Sequence, residues 1–390
     1  MTAPGRPSGV LLVDLARRTG GAETRVVATA RGLADRGVPV SVACLEGSPL
    51  ASALEHAGVR AEAVARRKWD PRLVAELGRV MRARPGWIVD AHNAQSQLAV
   101  RLADRGRAPT GARIATVHSE YGHSEGRLWG FSWHEAVLRC VIRSRWKLVA
   151  VSPAVRRNLQ GLGAADDVAV VWSGIDGAGV ARDRAEVRRE LGIGSDEFVV
   201  AAVGRMVPVK NFDMAIRAVA LLHRSLPTAR LLVVGDGPER ERLEQLALRQ
   251  PGPADLVRFL GHRDDVADLL VACDALVITS TTEGLPYVLL EAAASRTPVV
   301  STAVGAIPDV FGGGAVALLP WGVQSDLAGP AILARELSSL ALQPDRRDRM
   351  VTRAARVQQR RLSLESMLTA TIDSYGLGAE AVSPRAEVAR

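Results

Sequence analysis

The sequence predicts an α/β protein of two doubly wound parallel sheets, and three observations carry that expectation. Short β-type runs alternate with amphipathic helical stretches from one end to the other, the pattern of parallel strands joined by helical crossovers. The chain has 390 residues, more than one hydrophobic core usually organises. A stretch rich in Gly and Ala at 173–182 interrupts the alternation and reads as a linker.

In the first series the strands read as 10–15, 38–44, 87–91, 113–117, 147–151 and 168–172, with helices such as 23–36, 71–84 and 134–145 between them. A second series follows at 198–203, 230–234, 256–260, 275–279 and 298–301, with helices including 212–223, 239–249 and 287–294. Residues beyond 335 read as helices and 382–390 as a loose tail. The expected domains are 1–176 and 177–375, the last helices of the second able to pack back on the first, and a flexible tail 376–390. Two Rossmann-like domains facing across a cleft would hold ligands at the carboxyl ends of their strands.

Composition narrows the function classes. Hydrophobic residues at 47% and charged residues at 24% are ordinary for a globular protein. Aromatics at 4% argue against a stacking surface for single strands, and no nucleic-acid partner is expected. Cys44, Cys140 and Cys273 are far apart with no C-x-x-C pair, which fits a reducing cytosol and no zinc site. The first residues lack a signal-peptide core and no apolar run approaches about 18 residues. A cytoplasmic protein is expected, at most peripheral at the inner membrane face. Residues 1–180 hold 25 Lys+Arg against 16 Asp+Glu, whereas 181–390 hold 25 against 26, so the basic excess sits in the first half. Lys210 is the one lysine of the second half.

The chemistry-bearing motifs lie at strand ends. Arg18-Thr19-Gly20-Gly21-Ala22-Glu23 follows the first strand and opens a helix; paired glycines and free helix N–H groups suit an anion. Neither this turn nor Gly235-Asp236-Gly237-Pro238 fits G-x-G-x-x-G, and no G-x-x-x-x-G-K-[ST] loop occurs. Gly204-Arg205 closes a strand and Lys210-Asn211 opens a helix. Arg205 and Lys210 together could neutralise a departing diphosphate. Phe259-Leu260-Gly261-His262-Arg263 comes next. Thr279-Ser280-Thr281-Thr282-Glu283-Gly284-Leu285-Pro286 then leads through Tyr287 and Glu291 to Pro298-Val299-Val300. Pro286 suits the start of a helix, which leaves Glu283 in the loop and Glu291 in the second turn. At about 1.5 Å of rise per residue the two carboxylates stand roughly 10 Å apart, as two separate acceptors of hydrogen bonds.

Taken together, these residues resemble glycosyltransferase family 4, with the GT-B fold, over almost the full length and most specifically at 199–310. Gly20-Gly21, His118 after a strand, Val151-Ser152, Gly174-Ile175-Asp176 and Gly305-Ala306-Ile307-Pro308-Asp309 also match. The resemblance implies that Glu291 binds the ribose hydroxyls and Glu283 meets the transferred sugar. It implies that Gly204 belongs to the donor site, that backbone groups of Gly284, Leu285 and Tyr287 face sugar or phosphate, and that His262 and Arg263 hold the base through backbone groups. His118 is placed beside the sugar and the acceptor, with His92 after another strand as its competitor. Three positions depart from the family pattern: Arg296 stands where glycine is usual, Ala306 replaces the second glycine of a pair, and Trp172-Ser173 replaces Pro-Asn.

The implied reaction is metal-independent hexosyl transfer from a nucleotide-sugar co-substrate, retaining the anomeric configuration, with no cofactor. There is no Asp-x-Asp to hold a divalent ion between phosphates. Rivals are a nucleotide-sugar epimerase of the same fold and an inactive sugar-nucleotide-binding partner subunit. The acceptor is read as lipid-linked or otherwise anionic, with a soluble small molecule as rival. Basic and aromatic residues at Arg66-Arg67-Lys68-Trp69 and across 127–146, with Trp129, Phe131, Trp133 and Trp146, suit the edge of an anionic membrane.

Overall fold

The computed structural model describes residues 7–17, 20–104, 111–119, 133–177, 179–320, 322–323 and 327–378. Arg18, Thr19, Arg127, Trp129, Phe131 and the expected tail beyond 378 lie outside the described residues. The chain forms two compact units, Met1–Ser173 with Leu364–Arg390, and Gly174–Ser363.

The first unit is built on seven strands: β1 (Val10–Val13), β2 (Val40–Leu45), β3 (Ala61–Ala65), β4 (Ile88–Ala91), β5 (Arg113–Val117), β6 (Lys147–Ala150) and β7 (Ala169–Val170). Their order is β3-β2-β1-β4-β5-β6-β7, with every pair parallel. β1 shows why the central strands are continuous apolar runs. Leu11 and Val13 enter one core cluster and Val10 and Leu12 another, because successive side chains alternate and both faces are covered.

The second unit repeats the plan with β8 (Phe198–Val203), β9 (Ala229–Val234), β10 (Val257–Gly261), β11 (Ala275–Ile278), β12 (Val299–Thr302) and β13 (Ala317–Leu319), ordered β10-β9-β8-β11-β12-β13. In both sheets the first three strands step outward one way and the fourth returns to the other side of the first, so β1/β4 and β8/β11 are the topological switch points. Ligands of open α/β sheets bind outside the strand ends at that place.

Two features differ from the sequence expectation, the edge strands and the point of division, while the return of a last helix to the first unit is one it allowed. β3 and β13 are additional, and both are edge strands. β3 is Ala-Glu-Ala-Val-Ala with only Val64 buried, too weak in β-type residues and apolar alternation to read as a strand. The division between units falls at Ser173/Gly174 rather than 176/177. Helix Leu364–Tyr375 belongs to the first unit, where Met367, Leu368, Ile372 and Tyr375 join the cluster containing Val10 and Leu12.

The returning chain runs beside the outgoing one. Ile175 N donates to Leu362 O at 3.0 Å and Gln358 Nε2 to Ile175 O at 3.0 Å. A Cβ on Gly174 would stand 2.2 Å from Ser363 O, so only glycine permits this approach.

Candidate active site

The switch point of the second sheet places a cation on a carboxylate. Lys210 Nζ lies 2.5 Å from Glu283 Oε1, which also accepts from Ser280 Oγ at 2.6 Å. The two residues are 73 positions apart, one after β8 and one after β11. Lys210 ends a short 3₁₀ turn, Pro208–Lys210, and Asn211 follows at φ 47 before helix Phe212–His223. Asparagine tolerates that left-handed conformation better than most residues. Thr281 N donates to Val209 O at 2.8 Å and Thr279 Oγ1 to Lys210 O at 2.9 Å. These bonds tie the two loops together, one backbone to backbone and one from a side-chain hydroxyl.

A third loop supports Glu283 from behind. Gly305, at φ +57, has no room for a side chain, since a Cβ would stand 2.2 Å from Glu283 O. Ala306 N donates to Gly284 O at 2.9 Å. Strand ends on the other side pack as closely: a Cβ on Gly235 would stand 2.1 Å from Gly204 O, and one on Gly237 2.3 Å from Met206 O. The glycines here serve backbone packing as much as ligand access.

Glu291 sits in the second turn of helix Tyr287–Ala294, for which Pro286 is the N-cap residue. Burial pushes its carboxyl above the usual range, and its side chain makes no hydrogen bond among the described residues. Gly284 and Leu285 are buried. Arg205 is exposed and makes no ion pair among the described residues. A free guanidinium and an ordered ammonium both follow β8, as a diphosphate clamp would need.

The side chains of the two residues expected by the base are engaged by neighbouring acids. The Arg263 guanidinium is held by Asp265 at 2.7 Å and Glu190 at 3.1 Å, in a cluster that also ties Arg182 to Asp268. His262 is exposed and faces Asp264 at 3.2 Å. Side-chain recognition by Arg263 would have to break that cluster. Arg296 is exposed, adopts φ 58 and donates to Thr352 Oγ1 at 3.3 Å on helix Pro344–Arg361. The family's usual glycine at this position has a conformational reason.

In the first unit Gly20 is the N-cap of helix Gly21–Asp35, at φ −169 and with no side-chain cap. That extended backbone suits any residue, so its glycine is not demanded by conformation. His118 follows β5, and its Nε2 lies 3.1 Å from His92 Nδ1; the two histidines that compete in the sequence are neighbours. Burial first, then His92 and Arg25, push His118 well below the usual imidazole range. Two acids were not singled out from sequence. Asp90 is fully buried beside His92. Asp14, after β1, accepts from Asn93 Nδ2 at 2.7 Å and Ala16 N at 2.9 Å, and burial raises its carboxyl. Both sit in strands that read as ordinary core, and the acid at a strand's end was the available signal.

Of the aromatic residues proposed for a membrane edge, Trp69 is 78% exposed and Trp133 40%. Trp146 is a correction: it is buried in the core cluster of β4, β5 and β6. No helix among the described residues is long and apolar enough to cross a membrane.

The fold is that of an open α/β protein whose second switch point holds a paired cation and carboxylate, with a further acid, Glu291, in the helix that follows. The description "Glycosyltransferase Family 4" matches residues 19–178, and "Glycosyl transferases group 1" matches 183–357. The chain belongs to the family 4 glycosyltransferases and has the GT-B fold.

Among its relatives, a D-inositol 3-phosphate glycosyltransferase of Actinosynnema mirum is 37% identical over 229 residues, 55% of this chain and 53% of that one. The lipopolysaccharide core biosynthesis glycosyltransferase LpsE of Rhizobium meliloti is 39% identical over 157 residues, 40% of this chain and 43% of that one. The chain thus spans about half or less of the length of the curated relatives it matches. Among solved structures, HepE of Anabaena with UDP-glucose superimposes with a TM-score of 0.79 at 21% identity, covering 94% of this chain and 99% of that one. WaaG, a glycosyltransferase involved in lipopolysaccharide biosynthesis, gives 0.72 at 19%, covering 94% and 100%.

Proposed function

We propose that the chain moves a hexose-type sugar from a nucleotide-sugar donor to an acceptor hydroxyl with retention of configuration. The observation that carries this reading is the Lys210–Glu283 pair at the switch point of the second sheet. In the unliganded protein the carboxylate keeps the ammonium in place. A bound diphosphate draws Lys210 and Arg205 toward its oxygens, and Glu283 turns to sugar hydroxyls. Glu291 takes the two ribose hydroxyls, which a buried carboxyl lacking donors is suited to do. In the first unit Gly20-Gly21 and His118 serve the phosphate and the acceptor side.

The bond from the anomeric carbon to the phosphate oxygen breaks, and the bond to the acceptor oxygen forms on the same face. The acceptor's proton passes to the leaving phosphate. Charge stabilisation of that leaving group is the main catalytic contribution, supplied by fixed cations instead of a metal ion.

The test is a screen of purified protein against UDP-, GDP- and ADP-sugars, scored by donor hydrolysis, with and without EDTA. UDP-glucose comes first because a similar fold has been solved with it. Turnover of one donor class, unaffected by EDTA, is expected. Failure of every donor removes the transferase reading, and activity lost to EDTA and restored by magnesium removes the metal-free clamp.

We also propose a lipid-linked or anionic acceptor at a membrane surface. Trp69 is exposed next to Arg67 and Lys68, and Trp133 is partly exposed and stacks on His134 at 4.8 Å. The field of Lys68 reaches His134, whose proton affinity is lowered chiefly by burial. Each basic residue near such a surface contributes about 1 kcal/mol. Sedimentation with anionic vesicles at low salt is expected; protein left in the supernatant would turn the search to soluble acceptors.

A further inference from the structure

The near-neutral charge of residues 181–390 is not evenly spread. Helix Pro344–Arg361 carries 7 arginines against 2 aspartates, whereas the remainder of 181–390 holds 18 basic against 24 acidic residues. Met350, Val351, Ala354 and Gln358 are the buried face of this helix, which packs on helices Tyr287–Ala294 and Gly329–Leu342. Arg349, Arg353, Arg356 and Arg360 recur at spacings of 4, 3 and 4 residues. At 3.6 residues per turn they form one stripe about 60° wide on the side away from the buried face. All four are exposed, and both aspartates, Asp345 and Asp348, precede them.

The stripe lacks local compensation. Arg349, Arg356 and Arg360 make no ion pair or hydrogen bond among the described residues. Arg353 Nη1 donates to Gly313 O at 2.7 Å, a neutral acceptor. Arg346, off the stripe on the same helix, is by contrast paired with Glu336 at 2.7 Å. Like charges three and four residues apart repel, so helix stability does not call for this arrangement. A further cation joins from outside the helix. Arg296 is exposed and reaches Thr352 Oγ1 at 3.3 Å, and Thr352 lies between Arg349 and Arg356. Arg296 takes this place at φ 58, a conformation that glycine would adopt without strain.

From Arg349 to Arg360 the row is about 16 Å long, so it presents its charges to one plane. A basic cluster of this size on an amphipathic helix suits anionic lipid headgroups. The helix holds no aromatic residue and so offers no stacking platform for unpaired bases. We infer that the arginine face of helix Pro344–Arg361 is an electrostatic contact for an anionic lipid surface. This contact stands on the charge pattern of one helix in the second unit, and needs neither the transferase reading nor the acceptor proposed above.

The test measures partition of the full chain onto vesicles of equal parts phosphatidylglycerol and phosphatidylcholine, and onto phosphatidylcholine alone. Binding to the anionic vesicles at low salt, lost at high salt, is expected. Each basic residue near the surface is worth about fivefold in partition, so joint Arg349→Gln, Arg356→Gln and Arg360→Gln should weaken it about 100-fold. Glutamine forms helix nearly as well as arginine, and an unchanged thermal midpoint verifies the fold. Joint Arg189→Gln, Arg224→Gln and Arg249→Gln removes the same charge at exposed positions elsewhere in the second unit, and should stay within a few-fold of wild type. Donor hydrolysis should be the same in both. Equal losses in the two triple variants would reveal a net-charge effect and overturn the inference, as would a stripe variant that binds like wild type. Tighter binding to duplex DNA than to vesicles, weakened by the stripe substitutions, would assign the face to nucleic acid and overturn it too. Joint Lys68→Gln and Trp69→Ala reads the first unit's surface separately. Binding lost there but kept in the stripe variant would leave that surface standing and remove this one.

Discussion

On the proposed reading, Lys210 and Glu283 carry two duties as a single pair. At 2.5 Å the carboxylate orders the ammonium, and the half-exposed setting leaves the cation free to exchange partners. Replacing Lys210 by Ala should reduce turnover at saturating donor by about 100- to 1,000-fold, the cost of removing one group that stabilises developing charge. Near-normal turnover would show that the leaving group is stabilised elsewhere. Glu291 is the opposite case, an acid whose burial favours its neutral form. Its folded proton affinity exceeds the unfolded one, so its contribution is neutral at low pH and turns unfavourable as pH rises through the folded value. Glu291→Gln should raise the thermal midpoint at pH 8 and leave it unchanged at pH 4, while weakening donor binding. A midpoint difference independent of pH would contradict this account.

Loops, more than strands, decide the geometry at the next scale. Gly305 and Gly235 are placed where a Cβ would meet backbone within 2.2 Å, so these residues fix how closely neighbouring strand ends approach. The loop after helix Tyr287–Ala294 makes the converse point. Arg296 holds φ 58 there, a conformation that costs a side-chain-bearing residue about 1–2 kcal/mol. Glycine removes that strain and restores about 0.5–1 kcal/mol of chain entropy to the unfolded state. Arg296→Gly should therefore stabilise by about 1 kcal/mol, or roughly 2–4 °C for a domain of this size, with donor kinetics unchanged. Calorimetry checks it; a lower midpoint would mean that the bond to Thr352 outweighs the strain. The central strands are legible in the sequence because two buried faces give unbroken apolar runs, and the edge strands β7 and β10 are legible as well. β3 escaped because an edge strand has fewer neighbours to satisfy and accepts Ala and Glu, and β13 because it is only 3 residues long.

Across the whole molecule, the last helix matters most. Helix Leu364–Tyr375 is reached only after the chain has completed the second unit, yet it belongs to the first. It buries Met367, Leu368, Ile372 and Tyr375. At about 1.5–3 kcal/mol for each large buried side chain, this contributes roughly 6–12 kcal/mol, comparable with the whole stability of a domain. A chain ending at Ser363 should lose cooperative folding of the first unit while the second keeps its own transition. Two intact transitions in the truncated protein would show that the helix is dispensable. The same helix supplies Tyr375 to Asp90, so truncation should also leave that carboxylate short of a donor.

The sequence by itself determined the doubly wound plan and the two series of strands, and it nominated the residues proposed for a nucleotide-sugar site. Those signals are local: apolar periodicity reports which faces are buried, and Gly, Pro and charged residues mark strand ends. Tertiary structure decided what lies beside what. Lys210 meets Glu283 across 73 residues, His92 meets His118 across 26, and Tyr375 meets Asp90 across 285. It also turned Trp146 into the core and Arg263 toward Glu190. Such pairings follow from strand order and from where a late helix docks, and neither leaves a periodic trace in the residues that take part.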